Sequence, residues 1–399
     1  LDALKGLFIQ ILRLCQKAGM VSLGHVALDG TKVQANASKH KAMSHERMLR
    51  AEKELAKEIN ALIRKAEILD AQEDKRYGKG KLGSDLPDEL RYKQGRLEKI
   101  RQARKEMEAE TAAATARQRQ EEAEEARARA AAAREADAPA AEHAELWKKA
   151  EAAAAKAKVA REAAIEAAET AGLEPPDLEP LAVDAMPRRG LARKADGTPT
   201  KKSQRNFTDP ESHLMQSGGS YLQGYNCQLA VDSDHQVIVA VGVSNQPPDV
   251  EHLEPMLERI AASTGALPVV MTLDAGYWSE DNARACTDQG IDAYIATGRL
   301  PHGKLPPAKR GPLPKDADAK TRMARKLRSK KGSKIYARRK VIVEPVNGQI
   351  KEGRGLRRFL LRGLEKVNGE WHLIAATHNL LKLFRHRRSQ QQVLAVATG

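Results

Sequence analysis

Apolar residues recur at helical spacing from the start of the chain. Leu4, Leu7, Phe8, Ile11 and Leu12 share one face, and Gly19 supplies a C-terminal stop. The pattern then shortens. His25-Val-Ala-Leu-Asp29 reads as a strand, Gly30-Thr31 as a turn, and Lys32-Val-Gln-Ala-Asn36 as a second strand running back. From 41 to 172 the rhythm is helical again, broken near Gly78–Pro87 and at Pro139. Leu55, Ile59, Leu62, Ile63, Ala66 and Ile68 form an amphipathic stripe there. Between 101 and 170, 29 of 70 residues are Ala, so the stripe becomes too small-sided to bury much surface. The segment reads as a helical hairpin or a loose coiled coil, with partial disorder as the rival reading.

Residues 173–205 carry prolines and glycines together with Arg188, Arg189, Arg193, Lys194, Lys201 and Lys202, the composition of a basic linker. Globular patterning returns at 206. Gly224-Tyr-Asn-Cys-Gln-Leu-Ala-Val231 and Gln236-Val-Ile-Val-Ala-Val-Gly242 read as a hairpin joined by a turn at Asp232–His235. Pro247-Pro248-Asp249 opens a helix with Leu253, Met256, Leu257 and Ile260 on one face and Asp249 as its cap. Leu267–Leu273 is a strand of buried type that ends at Asp274. Ser279 starts a helix through Cys286, and Ile291–Ile295 is a further strand. Strands and helices in this order predict an α/β fold, a mixed sheet with helices on its faces.

Charge narrows the partner. Lys and Arg number 68 against 53 Asp and Glu, a formal +15, which favours a polyanion: nucleic acid or an anionic membrane surface. No apolar run approaches the ~18 residues of a membrane span, and charges at Asp2, Lys5, Arg13 and Lys17 break up any signal-peptide pattern, so no membrane partner is expected. Cys15, Cys227 and Cys286 are odd in number and form no CxxC. That excludes a disulfide scaffold and a cysteine-rich zinc site, and fits the reducing cytoplasm. The histidines show no HxxxH spacing, and there is no phosphate-loop motif; Ser217-Gly-Gly-Ser220 is a plain loop. Residues 304–340 hold 15 Lys and Arg against Asp316 and Asp318 alone, so the surplus is concentrated in one segment. The chain opens on Leu1 rather than Met, which leaves room for residues upstream.

Candidate chemistry lies in acids at strand ends. Asp29 and Asp274 each end a strand and are each followed within two residues by glycine, and ligands gather beyond the carboxyl ends of parallel strands. Two carboxylates there suit a hard cation such as Mg²⁺, and a two-ion phosphoryl displacement needs a third acid. Glu344 is the best candidate. On a helix, Tyr336, Lys340, Glu344, Asn347 and Lys351 share one face; β-branched Val341-Ile-Val343 and Pro345 argue instead for a strand or a kink. Other readings stand beside these. Asp29-Gly30 is a strong hairpin signal, and Asp274 suits a helix cap. Asp232 and Asp234 read as turn residues, Asp209 as a local anchor, and Glu280 and Asp281 as first-turn acids.

At this point the residues resemble a family. Leu28-Asp29-Gly30-Thr31-Lys32 with Ala35-Asn36-Ala37, Thr208-Asp209-Pro210, Gly224 to Asp232, Asp274-Ala-Gly-Tyr-Trp-Ser-Glu-Asp-Asn282, and Tyr336…Arg339…Glu344…Lys351 are together similar to the DDE transposases of bacterial insertion sequences. The nearest subgroup carries a long helical insertion after the first catalytic Asp, and the last block resembles its Tyr-Arg-Glu-Lys signature. The Arg339–Glu344 gap is one residue longer than usual, which makes Lys340 an alternative to Arg339, and an aromatic is common where Asn347 stands.

The resemblance implies a ribonuclease-H-like mixed sheet with flanking helices, interrupted by a long Ala-rich helical insertion. It assigns Asp29, Asp274 and Glu344 as catalytic and as ligands of two Mg²⁺ (or Mn²⁺) ions. It assigns Tyr336, Arg339, Lys340 and Lys351 to DNA phosphates, and the neighbouring Lys326, Arg328, Lys330 and Lys331 join them through the basic run. The implied partner is double-stranded DNA, element ends and target, bound by a homo-oligomer; the implied activity is hydrolysis followed by strand transfer. The alternatives are an inactive or truncated remnant that only binds DNA, and a plain nuclease. The expected organisation is the end of an N-terminal helical region (1–20), the first part of the core (21–40), the insertion (41–172), the basic linker (173–205), the rest of the core (206–390) and a tail (391–399).

Overall fold

A computed structural model describes residues 2–77, 88–136, 139–179, 185–298, 311, 313–314 and 316–397. The break expected at 78–87 lies outside the described residues. In chain order the elements begin with helix α1 (Asp2–Lys17), strands β1 (His25–Gln34) and β2 (Ala42–Ser44), and helices α2 (His45–Tyr77), α3 (Asp88–Glu135) and α4 (Ala140–Ala171). Strands β3 (Gln204–Asn206), β4 (His213–Ser217), β5 (Ser220–Asp232) and β6 (Ile238–Ser244) follow, then α5 (Leu253–Thr264), β7 (Val270–Leu273), α6 (Glu280–Asp288) and β8 (Asp292–Ile295). The chain closes with α7 (Ala319–Arg328), α8 (Lys330–Ile342), α9 (Glu344–Gly348) and α10 (Leu364–Ala397). Among the described residues no helix is long and apolar enough to cross a membrane.

Two compact units result: Leu1–Lys39 with Ala182–Arg189 and Thr208–Gly399, and His40–Leu181 with Gly190–Phe207. The first is the mixed α/β unit expected from the sequence. β1 is central, antiparallel to β5 on one side and parallel to β7 on the other; β7 is parallel to β8, and both β4 and β6 run antiparallel to β5. The sequence missed β4, whose tight turn to β5 is the Ser217–Ser220 loop. It also erred at Gly30-Thr31. β1 does not turn there but pairs without a break from Val26↔Asp232 to Gln34↔Gly224, so Asp29 stands inside a strand and not at its end.

The core of this unit fills both faces of the sheet. α5 buries Leu253, Met256, Leu257 and Ile260 as its spacing required, and α10 buries Val367, Trp371, Ala375 and Ala376. Asn379 on α10 binds the edge of β6 as a strand would: its Oδ1 accepts from Ile238 N and its Nδ2 donates to Ile238 O, both at 2.8 Å. Next to it in the chain, buried His378 faces Gln349 Oε1 and Gln236 O at 3.0 Å each. Burial lowers its pKa to about 4, and Lys382, Arg354 and Arg385 push the same way against the hydrogen bond to Gln236 O. His378 is therefore neutral in the folded chain, and below about pH 6.5 the unfolded chain takes up the proton first. Unfolding free energy should be level above pH 6.5 and fall progressively down to about pH 4, by about 3 kcal/mol from this residue. Urea melts at stepped pH, with the His378 ring followed by NMR, check it; a ring titrating near its ordinary value would contradict the burial argument.

The second unit is helical. Met48, Leu55, Ile59, Leu90, Leu97, Ile100, Ala103 and Met107 make its core, joined by Leu191. Beyond it α3 packs along α4 with alanines: Ala109, Ala116, Ala123 and Ala130 are buried at seven-residue spacing, opposite Ala150, Ala164, Ala168 and Ala171. This is the expected hairpin, with Pro139 at the N-cap of α4. Part of the stretch read as a basic linker is ordered in this unit. β3 pairs with β2, and Arg205 reaches Glu106 and Glu110 at 2.8 Å each.

Candidate active site

The parallel ladder between β1 and β7 ends at Leu28↔Leu273. β7 leaves the sheet there while β1 continues along β5, so Asp29 and Asp274 emerge side by side. Asp274 is both a strand-end residue and a cap: its Oδ1 accepts from Gly276 N at 2.8 Å and closes the short turn Ala275–Tyr277. The helix expected after it is also present, with Ser279 capping α6 through Asn282 N at 3.0 Å.

The third acid arrives on a helix that its local sequence opposes. Pro345 cannot donate to Val341 O, and this freed carbonyl accepts instead from Gln236 Nε2 at 2.8 Å. Pro345 falls in the first turn of α9, where it is tolerated. The β-branched residues stay helical because Ile342, Val343, Val346 and Ile350 are buried in the core, which outweighs their weak propensity. Glu344 is the first residue of α9, and a π-helical turn, Gln349–Gly353, carries Lys351.

Arg339 of α8 lies between two of the acids, with Nη1 3.5 Å from Asp29 Oδ1 and Nη2 3.8 Å from Glu344 Oε1. Its Nη1 is buried without a hydrogen-bond partner among the described residues. Asn347 donates to Asp29 Oδ2 at 3.1 Å, a contact that an aromatic at this position would not make. Burial raises the Asp29 carboxyl to about 7; Arg339 opposes the shift, and Asp274, Asp249 and Glu344 add to it. Asp29 thus feels the charge of both other expected acids.

Tyr336 is half-buried beside Arg339, and burial raises its phenol pKa. Lys351 Nζ donates to Lys32 O at 2.9 Å, and burial lowers its pKa. Lys340, Lys330 and Lys331 are exposed and Arg328 is partly exposed. Lys326 differs from these: it pairs with Asp292 at 2.6 Å, donates to Ala293 O and lies 4.4 Å from the Tyr294 ring centroid, which ties α7 to β8. Ser329 caps α8, and Gly332 carries no Cβ where one would strike Lys326 O, so α7 and α8 meet in a tight basic corner. Residues 304–310 of the basic run lie outside the described residues. Among the rivals, Asp232 is the last residue of β5 and not in the turn itself; it is buried and accepts from Leu23 N at 2.8 Å and from Asp234 N of the turn at 3.0 Å, while Asp209 anchors Tyr225 OH at 2.8 Å.

Sequence reasoning misplaced Asp249. It stands at the N-cap of the short turn Val250–His252, but among the described residues its side chain makes no capping hydrogen bond. Its Oδ1 takes hydrogen bonds from Asn226 Nδ2 at 2.7 Å, Gln228 Nε2 at 3.0 Å and Lys32 Nζ at 3.2 Å. The available signal was Asn226 and Gln228, two polar residues on one face of an otherwise apolar strand.

The residues now described fall largely within a match to the family model for the transposase DDE domain, which covers residues 181–380. The chain belongs to the DDE transposase family. The match takes in Asp274, Glu344 and the basic corner, while Asp29 lies upstream of it. The mixed sheet, its flanking helices and the long helical region before the matched residues are consistent with the ribonuclease-H-like fold. No curated protein and no solved structure matches the chain.

DDE transposases use divalent metal ions in general. The donor set here fits such an ion in chemistry: three hard carboxylates, with a largely desolvated Asp29 whose pKa is raised first by burial and further by the neighbouring acids Asp274, Asp249 and Glu344. Among the described residues, however, no group of three or more His, Cys, Asp or Glu is spaced to hold an ion; the Arg339 guanidinium lies between Asp29 and Glu344.

Proposed function

We propose that the chain is a transposase that cuts DNA at the ends of an insertion sequence and joins the freed ends to target DNA, with Asp29, Asp274 and Glu344 as its catalytic acids. The observation that carries this reading is the meeting of acids from a strand, a strand end and a helix around Arg339, within a DDE transposase family member. Two Mg²⁺ or Mn²⁺ ions, when bound, supply Lewis acidity to the oxygens of the phosphodiester.

The chain's own residues do the rest. Asp29 and Asp274 hold the ions from the sheet, and Glu344 does so from α9. Arg339 exchanges its carboxylate contacts for the phosphate next to the cut, as a planar donor suited to phosphate oxygens. Tyr336, Lys340 and Lys351 grip the flanking phosphates. Arg328, Lys330 and Lys331 hold the duplex further out, while Lys326 keeps their helices in place. Charge distribution supports this assignment. Residues 40–181 and 190–207 carry 33 Lys and Arg against 31 Asp and Glu, so nearly all of the +15 belongs to the α/β unit. An element has two ends, so the DNA-bound form is a homo-oligomer, and it works in the cytoplasm.

The test is joining. Duplexes taken from the inverted repeats that flank the coding sequence should be cut and inserted into a target plasmid only with Mg²⁺ or Mn²⁺. Cleavage without joining would point to a plain nuclease, and binding with neither to a remnant. Binding should also weaken steeply with salt. Reversing Lys330 and Lys331 to Glu should lower the slope of log K against log salt by about 2 and weaken binding to all sequences alike. An unchanged slope would remove the α7–α8 corner from the interface.

A further inference from the structure

We propose that Asp249 is a fourth carboxylate of this site, a positioning residue whose charge sets how tightly Asp29 and Asp274 hold a divalent cation. The inference rests on the function proposed above and adds a residue that the Asp-Asp-Glu assignment leaves out.

Two glycines make room for it. A Cβ on Gly30, next to Asp29, would stand 2.5 Å from Asp249 Oδ1. A Cβ on Gly276 would stand 3.1 Å from Asp249 Oδ2 and 3.0 Å from Asp274 Oδ1. These two carboxylate oxygens flank one point, so they are at most about 6 Å apart. The glycine two residues after Asp274 therefore lets a second acid approach it closely.

The hydrogen bonding of Asp249 is one-sided. Oδ1 takes all three donors, Lys32, Asn226 and Gln228, whereas Oδ2 accepts no hydrogen bond among the described residues. Gln228 in turn accepts from the Tyr277 hydroxyl, so Asp249 is tied to the turn that follows Asp274. A neutral amide oxygen would satisfy the same three donors. What only a carboxylate supplies is negative charge. It cancels the Lys32 ammonium, 3.2 Å away on the strand that carries Asp29, and leaves Oδ2 to add to the field at the cation site. Without that charge the Lys32 cation would repel a metal ion directly.

Structural and electrostatic roles separate by measuring metal binding on the full chain without DNA, with free Mn²⁺ followed by electron paramagnetic resonance and folding by thermal melts. Asp249→Asn keeps an oxygen for the three donors and should weaken Mn²⁺ binding about tenfold or more with little change in melting temperature. Lys32→Met leaves the Asp249 charge uncompensated and should tighten Mn²⁺ binding severalfold. Should Asp249→Asn fail to fold, the Lys32→Met titration alone decides. Wild-type Mn²⁺ affinity in Asp249→Asn, or unchanged or weaker affinity in Lys32→Met, overturns the inference while the catalytic reading stands. A wild-type chain that binds no Mn²⁺ and cuts no DNA overturns both.

Discussion

Asp29→Asn is expected to lower metal-dependent DNA cleavage by about a thousandfold or more while leaving the fold and DNA affinity nearly intact. The substitution is almost isosteric. The Asn oxygen can still accept from Asn347 Nδ2, and the flanking pairs Leu28↔Ala230 and Gly30↔Gln228 are backbone contacts that do not depend on the side chain. Only charge is lost, at the acid nearest to Arg339. A carboxylate binds a hard cation far better than an amide does, and phosphoryl transfer depends on charge held in place rather than on covalent help from the protein. Asp274→Asn and Glu344→Gln should act alike. DNA affinity should stay level or rise slightly, because each change removes a negative charge from beside the phosphates. Nicking of supercoiled plasmid in Mn²⁺, set beside fluorescence anisotropy of a labelled duplex, separates the two effects. Wild-type nicking by any one of the three variants would remove that residue from the catalytic set.

The parts of this site that were legible in the sequence are those fixed by local chemistry. The α5 face, the Ser279 cap and the hairpin at Asp232 follow from spacing and capping rules, and all are present. What was misread depends on partners distant in the chain. Asp29-Gly30 carries the strongest short-range turn signal, yet β5 and β7 pair on both sides of that strand, and the glycine serves to admit Asp249. Pro247-Pro248-Asp249 has the form of a helix start, but the carboxylate turns towards Lys32, which lies 217 residues away. Pro345 argued against a helix because its solution, the Gln236 side chain on Val341 O, comes from a hairpin 105 residues upstream. The resemblance to a family located Glu344 where periodicity left it undecided, and it flagged Asn347 as a departure. The structure gives that departure a contact, the hydrogen bond to Asp29.

Trp371→Ala is expected to destabilise the α/β unit by about 3–5 kcal/mol, a large share of the stability of an ordinary domain. Trp371 is only 1% exposed and is among the largest fully buried side chains of the chain. It lies on α10 behind β5, meets Phe359 edge-on with ring centroids 6.2 Å apart, and donates from Nε1 to Gln228 O at 3.1 Å. Truncation leaves a cavity and removes a hydrogen bond to the strand whose Gln228 side chain reaches Asp249 and Tyr277. Trp371→Phe fills most of the space and loses only the N–H, so it should cost roughly 1–2 kcal/mol. Urea unfolding followed by far-ultraviolet circular dichroism gives both values. In the same samples Mn²⁺ binding should weaken more in the Ala variant than in the Phe variant, because the acids are held by a sheet that α10 backs. Losses below about 1 kcal/mol for Ala would mean that α10 does not support β5, and that the site draws its rigidity from α8 and α9 alone.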